Sequence, residues 1–191
     1  MASEIRHSLL ASGLLEARAY QLEAVDETLS SSTLLVLPTA AGKTAVAWMV
    51  MAEMLRRTDG WALMIAPTVA LVKQHHDGLI EAFSGQGIEA VAMSGAIPAA
   101  KRQSMWGRSR LVVSTPQVVR NDVIRGVLDL ADCCVLVVDE AHHTTGERGE
   151  AQVADLYLAS ADEPLILGMT ASPGSYVDRV EDVCRRLDVD R

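Results

Sequence analysis

The chain reads as short, continuously apolar runs, each closed by a polar or glycine-bearing cluster and followed by a stretch of helical period. The runs fall at 33–37, 61–66, 88–92, 110–114, 134–138 and 164–168. They do not alternate apolar with polar, so they predict strands buried on both faces. Between them, apolar residues recur every three or four positions over 17–30, 43–57, 69–83, 97–106, 116–128, 150–160 and 175–187, which predicts helices. This order predicts an α/β domain, a mainly parallel sheet with helices on both faces. Right-handed crossovers would line up the strand ends, and the polar clusters that follow them, along one edge of the sheet. The polar stretch His143–Gly149 predicts an exposed loop.

Composition narrows the class. A length of 191 residues suits one such domain, and an apolar fraction of 49% with 22% charged residues is ordinary for a globular chain. One Phe and three Tyr point to an aliphatic core. No apolar run reaches the ~20 residues of a membrane helix, and the N-terminus lacks a charged-then-apolar leader with a cleavage site. The expectation is a cytoplasmic chain with no membrane partner. Cys133 and Cys134 are adjacent in an apolar run and Cys184 stands alone, a spacing that suits buried free thiols rather than zinc or a disulfide frame. The net charge of −8 argues against a generally basic nucleic-acid binder, though not against one that uses backbone amides and helix N-termini. Three lysines stand against fourteen arginines, a bias of the kind genome composition produces. One of the three, Lys43, sits in the most distinctive cluster of the chain.

That cluster is Pro38-Thr39-Ala40-Ala41-Gly42-Lys43-Thr44, between a strand and a helix. A phosphate loop needs that context: loop and helix N-terminal amides face the phosphates, a lysine such as Lys43 reaches the β- and γ-phosphates, and the Thr44 hydroxyl can ligate Mg²⁺. The strict pattern has Gly six residues before the lysine, where Leu37 stands, and Ala40 occupies a position usually held by Gly. The bland alternative is an ordinary strand-to-helix turn bent at Gly42. A second cluster, Asp139-Glu140-Ala141-His142, follows the apolar run Val135–Val138. One acid at a strand end can hold Mg²⁺ and the next can orient and deprotonate a water. Alone, these acids would equally suit a helix cap. Lys101, Arg102, Arg108 and Arg110 form the one notable basic cluster, best read as a solvated face, and His7, His75 and His76 carry no metal-ligand spacing.

At these residues the chain resembles the superfamily 2 helicases and translocases. Asp139–His142 is similar to the DEAH form of motif II, and Pro38–Thr44 to motif I. Arg18-Ala19-Tyr20-Gln21 resembles the adenine-reading element of the branch that contains archaeal Hef, the Fanconi-anaemia M helicase, RIG-I-like receptors and Dicer. Ala66-Pro67-Thr68 with Leu71-Val72 and Gln74-His75 resembles motif Ia. Ser114-Thr115-Pro116-Gln117 resembles motif Ib, and Leu167–Gly174 motif III. The loop His143–Gly146 is also similar to that of restriction-enzyme motor subunits. The resemblance spans about residues 18–174.

The resemblance implies a RecA-like P-loop domain that takes ATP and Mg²⁺. It implies that Arg18 and Gln21 read adenine, that Thr39–Thr44 hold the phosphates, and that Thr44 and Asp139 hold the metal. Lys43, Asp139, Glu140 and His142 then serve hydrolysis. Pro67, Thr68, Gln74, Thr115 and Pro116 would meet a nucleic-acid strand, DNA in preference to RNA. Thr68 and Thr115 equally suit N-capping. Thr170, Ala171 and Ser172 would couple hydrolysis to domain movement, Thr170 and Ser172 through bonds to the motif II residues.

In this family a second RecA-like domain supplies arginines to the γ-phosphate, and its motifs are not among these 191 residues. The expectation is a single, monomeric domain from a prokaryotic or archaeal parent, inactive or nearly so as an isolated ATPase. The rival readings are a binding module without motor activity, a restriction-type translocase, and a P-loop kinase or transporter ATPase. The kinases and transporters lack the Arg18–Gln21 element and Thr170-Ala171-Ser172.

Overall fold

Consecutive residues of each central strand feed two different cores. The computed structural model describes residues 3–172 and 177–189. Six strands form one sheet: β3 (Thr33–Val36), β4 (Trp61–Ile65), β5 (Ala90–Met93), β6 (Leu111–Ser114), β7 (Cys133–Asp139) and β8 (Ile166–Thr170). Every pairing is parallel, in the order β3-β8-β7-β4-β6-β5. Ala62, Met64 and Ala66 face one core with Val135 and Val137, while Leu63 and Ile65 face the other with Leu136 and Val138. This period of two, apolar on both sides, is why the runs read as unbroken.

Helices α1 (Ala19–Ser30), α2 (Lys43–Arg57) and α3 (Val69–Ala82) cover the first face. Helices α5 (Pro116–Ile124), α6 (Gly149–Ser160) and α7 (Val177–Arg186) cover the second, while the short α4 (Ala99–Met105) joins β5 to β6. A two-stranded antiparallel ribbon, β1 (Ser3–Glu4) with β2 (Glu16–Ala17), was not expected from the sequence. It takes residue 17 out of the predicted first helix, which starts at Ala19 instead, and Ala17 joins the first core.

Other boundaries move for local reasons. The predicted helix 116–128 stops at Ile124 because Gly126 takes φ +69°, with Gly126 N–H donating to Val123 O and Val127 N–H to Asp122 O. This is a glycine C-cap that returns the orphan carbonyls a partner, and the apolar Val127 and Leu128 beyond it only imitate helical period. The strand expected at 88–92 lies at Ala90–Met93, in register with Leu111–Ser114 of β6. The stretch His143–Gly149, expected to be an exposed loop, opens on the last residue of a 3₁₀ turn over Ala141–His143 and buries Thr144 completely.

Two of the four residues of the basic cluster depart from the expected solvated face. Arg102 is buried and pairs with the buried Asp122 through two 2.8 Å hydrogen bonds. Arg110 donates to the carbonyls of Leu55 and Gly60, closing the C-terminal end of α2. Lys101 and Arg108 are exposed. Cys133 and Cys134 are buried free thiols and Cys184 is half-buried. Burial pushes the Cys133 thiol well above its ordinary value. Among the described residues, no helix is long and apolar enough to cross a membrane.

Candidate nucleotide site

Register brings the two main clusters to neighbouring strand ends. Val36 pairs with Thr170, and Asp139 with Met169, so the ends of β3, β8 and β7 lie side by side. The phosphate-loop candidate follows the first, Thr170 closes the second and Asp139 the third. Leu37 N–H continues the ladder to Thr170 O at 3.1 Å.

The loop is tightly wound. Gly42 caps α2 in the left-handed region at φ +84°. Ala40 adopts φ +66°, where a Cβ costs about 1–2 kcal/mol. Thus Ala40 fits the glycine backbone shape of this position without being glycine. The Lys43 ammonium turns back into the loop and donates to Leu37 O at 2.8 Å and Pro38 O at 3.3 Å. Pro38, Thr39 and Ala40 are exposed, whereas Ala41, Gly42, Lys43 and Thr44 are partly covered.

Helix α1 clasps the same loop. Gln21 is only 5% exposed. Its Oε1 accepts from Arg18 N–H at 2.8 Å, and its Nε2 donates to Gly42 O at 3.2 Å and Ala41 O at 3.4 Å. A Cβ on Gly42 would lie 2.1 Å from Gln21 Nε2, so glycine is needed there twice over. Tyr20 adds its hydroxyl, donating to Ala41 O at 2.8 Å. Arg18 itself is exposed at the N-cap. Both ends of the Gln21 amide therefore engage protein groups, and the adenine-facing role expected of it requires that clasp to open. The sequence reading assigned Tyr20 no role of its own, and no local pattern marks it.

The acids sit at the end of β7. Asp139 is 8% exposed, and its Oδ1 accepts from Glu140 N–H at 3.0 Å. Glu140 takes φ +51°, a strained value for a residue with a side chain, and starts the 3₁₀ turn. Its carboxylate lies 3.3 Å from His142 Nδ1, and the same nitrogen lies 2.9 Å from Thr170 Oγ1. The Thr170 hydroxyl donates to Ser172 O at 2.8 Å and accepts from Ser172 N–H. With that hydroxyl proton so committed, His142 Nδ1 must be the donor toward Thr170. Ala171 and Ser172 are exposed, and Pro173 and Gly174 lie outside the described residues. His143 packs against His142 with ring centres 4.1 Å apart and planes tilted by 44°, and contacts Arg148; burial, followed by the His142 and Arg148 charges, keeps its pKa below the ordinary histidine value.

One side chain given no role at first belongs here. His75 of α3 is buried, and its Nε2 lies 2.7 Å from Asp139 Oδ2. The reading of His75 as an ordinary helix histidine is corrected by this contact. Its spacing with Val72, Leu79 and Ala82, all buried on the same helix face, was the available signal.

The candidate strand contacts follow β4 and β6, on the other half of the sheet edge. Thr68 is exposed and caps α3, its Oγ1 accepting from Leu71 N–H at 3.2 Å. Gln74 is exposed, Pro67 is partly covered, and Thr115 and Pro116 are buried. Thr115 caps α5 without a side-chain bond. On this half, Thr68, Gln74 and Gln117 present side chains to solvent, whereas Thr115 and Pro116 do not.

Comparison with known proteins completes this picture. A model of the DEAD/DEAH box helicase family matches residues 18–180. The chain is 39% identical over 186 residues to a putative ATP-dependent RNA helicase of Methanocaldococcus jannaschii, covering 97% of this chain and 24% of that protein. It is 33% identical over 173 residues to the ATP-dependent DNA helicase mph1 of Neurospora crassa, covering 90% of this chain and 15% of that protein. The Pyrococcus furiosus Hef helicase domain superposes with a TM-score of 0.87 at 34% identity, over 92% of this chain and 37% of that one. The chain thus spans a quarter or less of these two curated relatives. The six-stranded sheet has the RecA-like architecture of the Hef domain, and the loop, acids and strand-end threonine lie within the matched span. On this evidence the chain belongs to the DEAD/DEAH box helicase family, with the Hef helicase domain among the proteins it resembles in sequence and fold.

Proposed function

We propose that this chain is the ATP-binding half of a nucleic-acid-dependent ATPase, which drives movement along DNA once joined to a second RecA-like domain. The observation that carries the reading is the alignment of the loop at β3, Thr170 at β8 and Asp139 at β7 on adjacent parallel strands. A nucleotide lying along that edge meets phosphate-binding amides on one side and two acids on the other. The DNA helicase name of the fungal relative supports DNA as the track, and the archaeal relative's name makes RNA the outcome to test against it.

On this reading Lys43 leaves the Leu37 and Pro38 carbonyls and takes the β- and γ-phosphates. The exchange is favourable because it replaces two neutral acceptors by charged oxygens. The loop amides and the N-terminus of α2 bind the remaining phosphate charge. Opening of the Gln21 clasp frees that amide for the adenine edge, with Arg18 exposed beside it. The Thr44 hydroxyl and the Asp139 carboxylate are hard oxygen donors of the kind Mg²⁺ accepts, so the residues fit that ion. When bound, Mg²⁺ neutralises phosphate charge. Glu140 orients the attacking water and takes its proton. His142, held between Glu140 and Thr170, keeps that acid in place and connects it to β8. Ala171 and Ser172, exposed beyond Thr170, relay hydrolysis to the second domain.

Thr68, Gln74 and the amides near Thr115 and Pro116 meet the strand's phosphates, together with Pro67 at the turn. The domain's own charge of −8 makes that contact weak and salt-sensitive. Buried free Cys133 and Cys134 suit a reducing cytoplasm. The second domain's arginines are worth ~10³–10⁵ in rate in related chemistry, so residues 1–191 by themselves turn over ATP negligibly. The test is a titration of labelled ADP with Mg²⁺ against wild type and Lys43→Ala. Loss of affinity in the variant is expected, and equal affinity would remove the phosphate site from this loop.

A further inference from the structure

We infer that His75 is a positioning residue for the metal-holding acid, a role that rests on the reading of Asp139 proposed above. The residue is out of place by type. Val72, Leu79 and Ala82 share its face of α3 and are apolar, as a helix packed on a sheet requires. A buried imidazole on that face costs free energy unless it is hydrogen-bonded. Its partner is Asp139 Oδ2, at 2.7 Å. An ionised carboxylate only accepts, so Nε2 carries the proton and donates.

The contact leaves the acid usable. Asp139 Oδ1 is held by Glu140 N–H and Oδ2 by His75, one bond to each oxygen. A carboxylate oxygen has two lone-pair sites, so each keeps one for a metal ion or its water. Two bonds from two elements, the strand end and α3, fix the plane of the carboxylate. Without His75, Asp139 is tethered only by its own neighbour and can rotate about χ1 and χ2. The arrangement matches the general pattern in which an outer hydrogen bond orients a ligating side chain. The acid also becomes joined to α3, which Thr68 caps and whose exposed side carries Gln74.

The experiment measures labelled-ADP binding to the full chain across a Mg²⁺ titration, with excess chelator as the metal-free arm. His75→Leu keeps the apolar fit but removes the donor. Its half-saturating Mg²⁺ concentration should rise about tenfold, the lower end of what loss of an outer hydrogen bond costs. Metal-free ADP affinity should stay at the wild-type value. His75→Gln, which can present a donor at similar reach, should restore most of the Mg²⁺ response. His75→Asn, which is too short, should not. Should the leucine variant fail to fold, the Gln–Asn pair carries the comparison. Asp139→Ala is the control for the underlying reading. If it abolishes the Mg²⁺ response while the His75 variants keep the wild-type response, the inference about His75 is overturned and the metal site stands. If Asp139→Ala itself retains the wild-type response, the metal assignment fails and the inference fails with it.

Discussion

Gly42→Ala tests how the phosphate loop is held. Glycine is required there by its backbone angle, φ +84°, and by the approach of Gln21, whose Nε2 would lie 2.1 Å from a new Cβ. A left-handed alanine costs about 1–2 kcal/mol. The clash must then be relieved by moving Gln21, which is 95% covered and has little room. Moving it forfeits its 3.2 Å bond to Gly42 O and the longer one to Ala41 O, together about 1 kcal/mol. The expected loss is about 2–3 kcal/mol, read from urea unfolding. Gln21→Ala separates the two contributions. In that background the clash and the bonds are already gone, so Gly42→Ala should cost only its backbone strain, leaving an interaction energy of about 1 kcal/mol in the cycle. An identical penalty in both backgrounds would show that Gln21 does not hold the loop, and the clasp would have to be abandoned.

Four other outcomes are expected. Glu140→Gln, in a protein that also carries the second domain, should bind ATP yet hydrolyse it ~10²–10⁴-fold more slowly, as steady-state phosphate release would measure. In competition binding, wild type should prefer ATP over GTP, because guanine carries O6 where adenine carries a donor, and Gln21→Ala should lose that preference. Arg102→Met should destabilise by about 3–5 kcal/mol, because Asp122 is 1% exposed and would remain as an unpaired buried charge. Acid should mimic part of that loss. The Arg102 guanidinium, followed by the Trp106 indole, holds the Asp122 pKa below the usual carboxylate value. A depressed folded pKa stabilises above the unfolded value of about 3.9 and is lost as pH falls through the folded one. Urea midpoints taken from pH 5 downward should therefore fall less steeply in Asp122→Asn than in wild type.

Much of this protein was legible in one dimension because its strands and clusters are local objects. A run such as 134–138 is apolar throughout because both faces of β7 are covered, and that needs no knowledge of its neighbours. The strand–loop–helix passage through Gly42 and Lys43 is likewise contained in about a dozen consecutive residues. Side-chain pairing is different, because it depends on which strand lies beside which. His75 and Asp139 are 64 residues apart, and Arg102 and Asp122 are 20 apart. Nothing in either neighbourhood announces the other, so one histidine looked incidental and one arginine looked solvated. Burial behaves the same way. Thr115 and Thr68 stand in similar proline-flanked settings after strands, yet the first is covered and the second exposed. The Gln21 amide bonds Arg18 N–H and the Ala41 and Gly42 carbonyls, joining two segments that only the folded chain brings together. The sequence by itself determined the order of the six sheet strands and the helices between them and which polar residues stand at their ends, since backbone period and turn residues act over a few positions. The tertiary structure decided which polar groups satisfy one another, because a buried donor takes whatever acceptor the packing of distant segments presents to it.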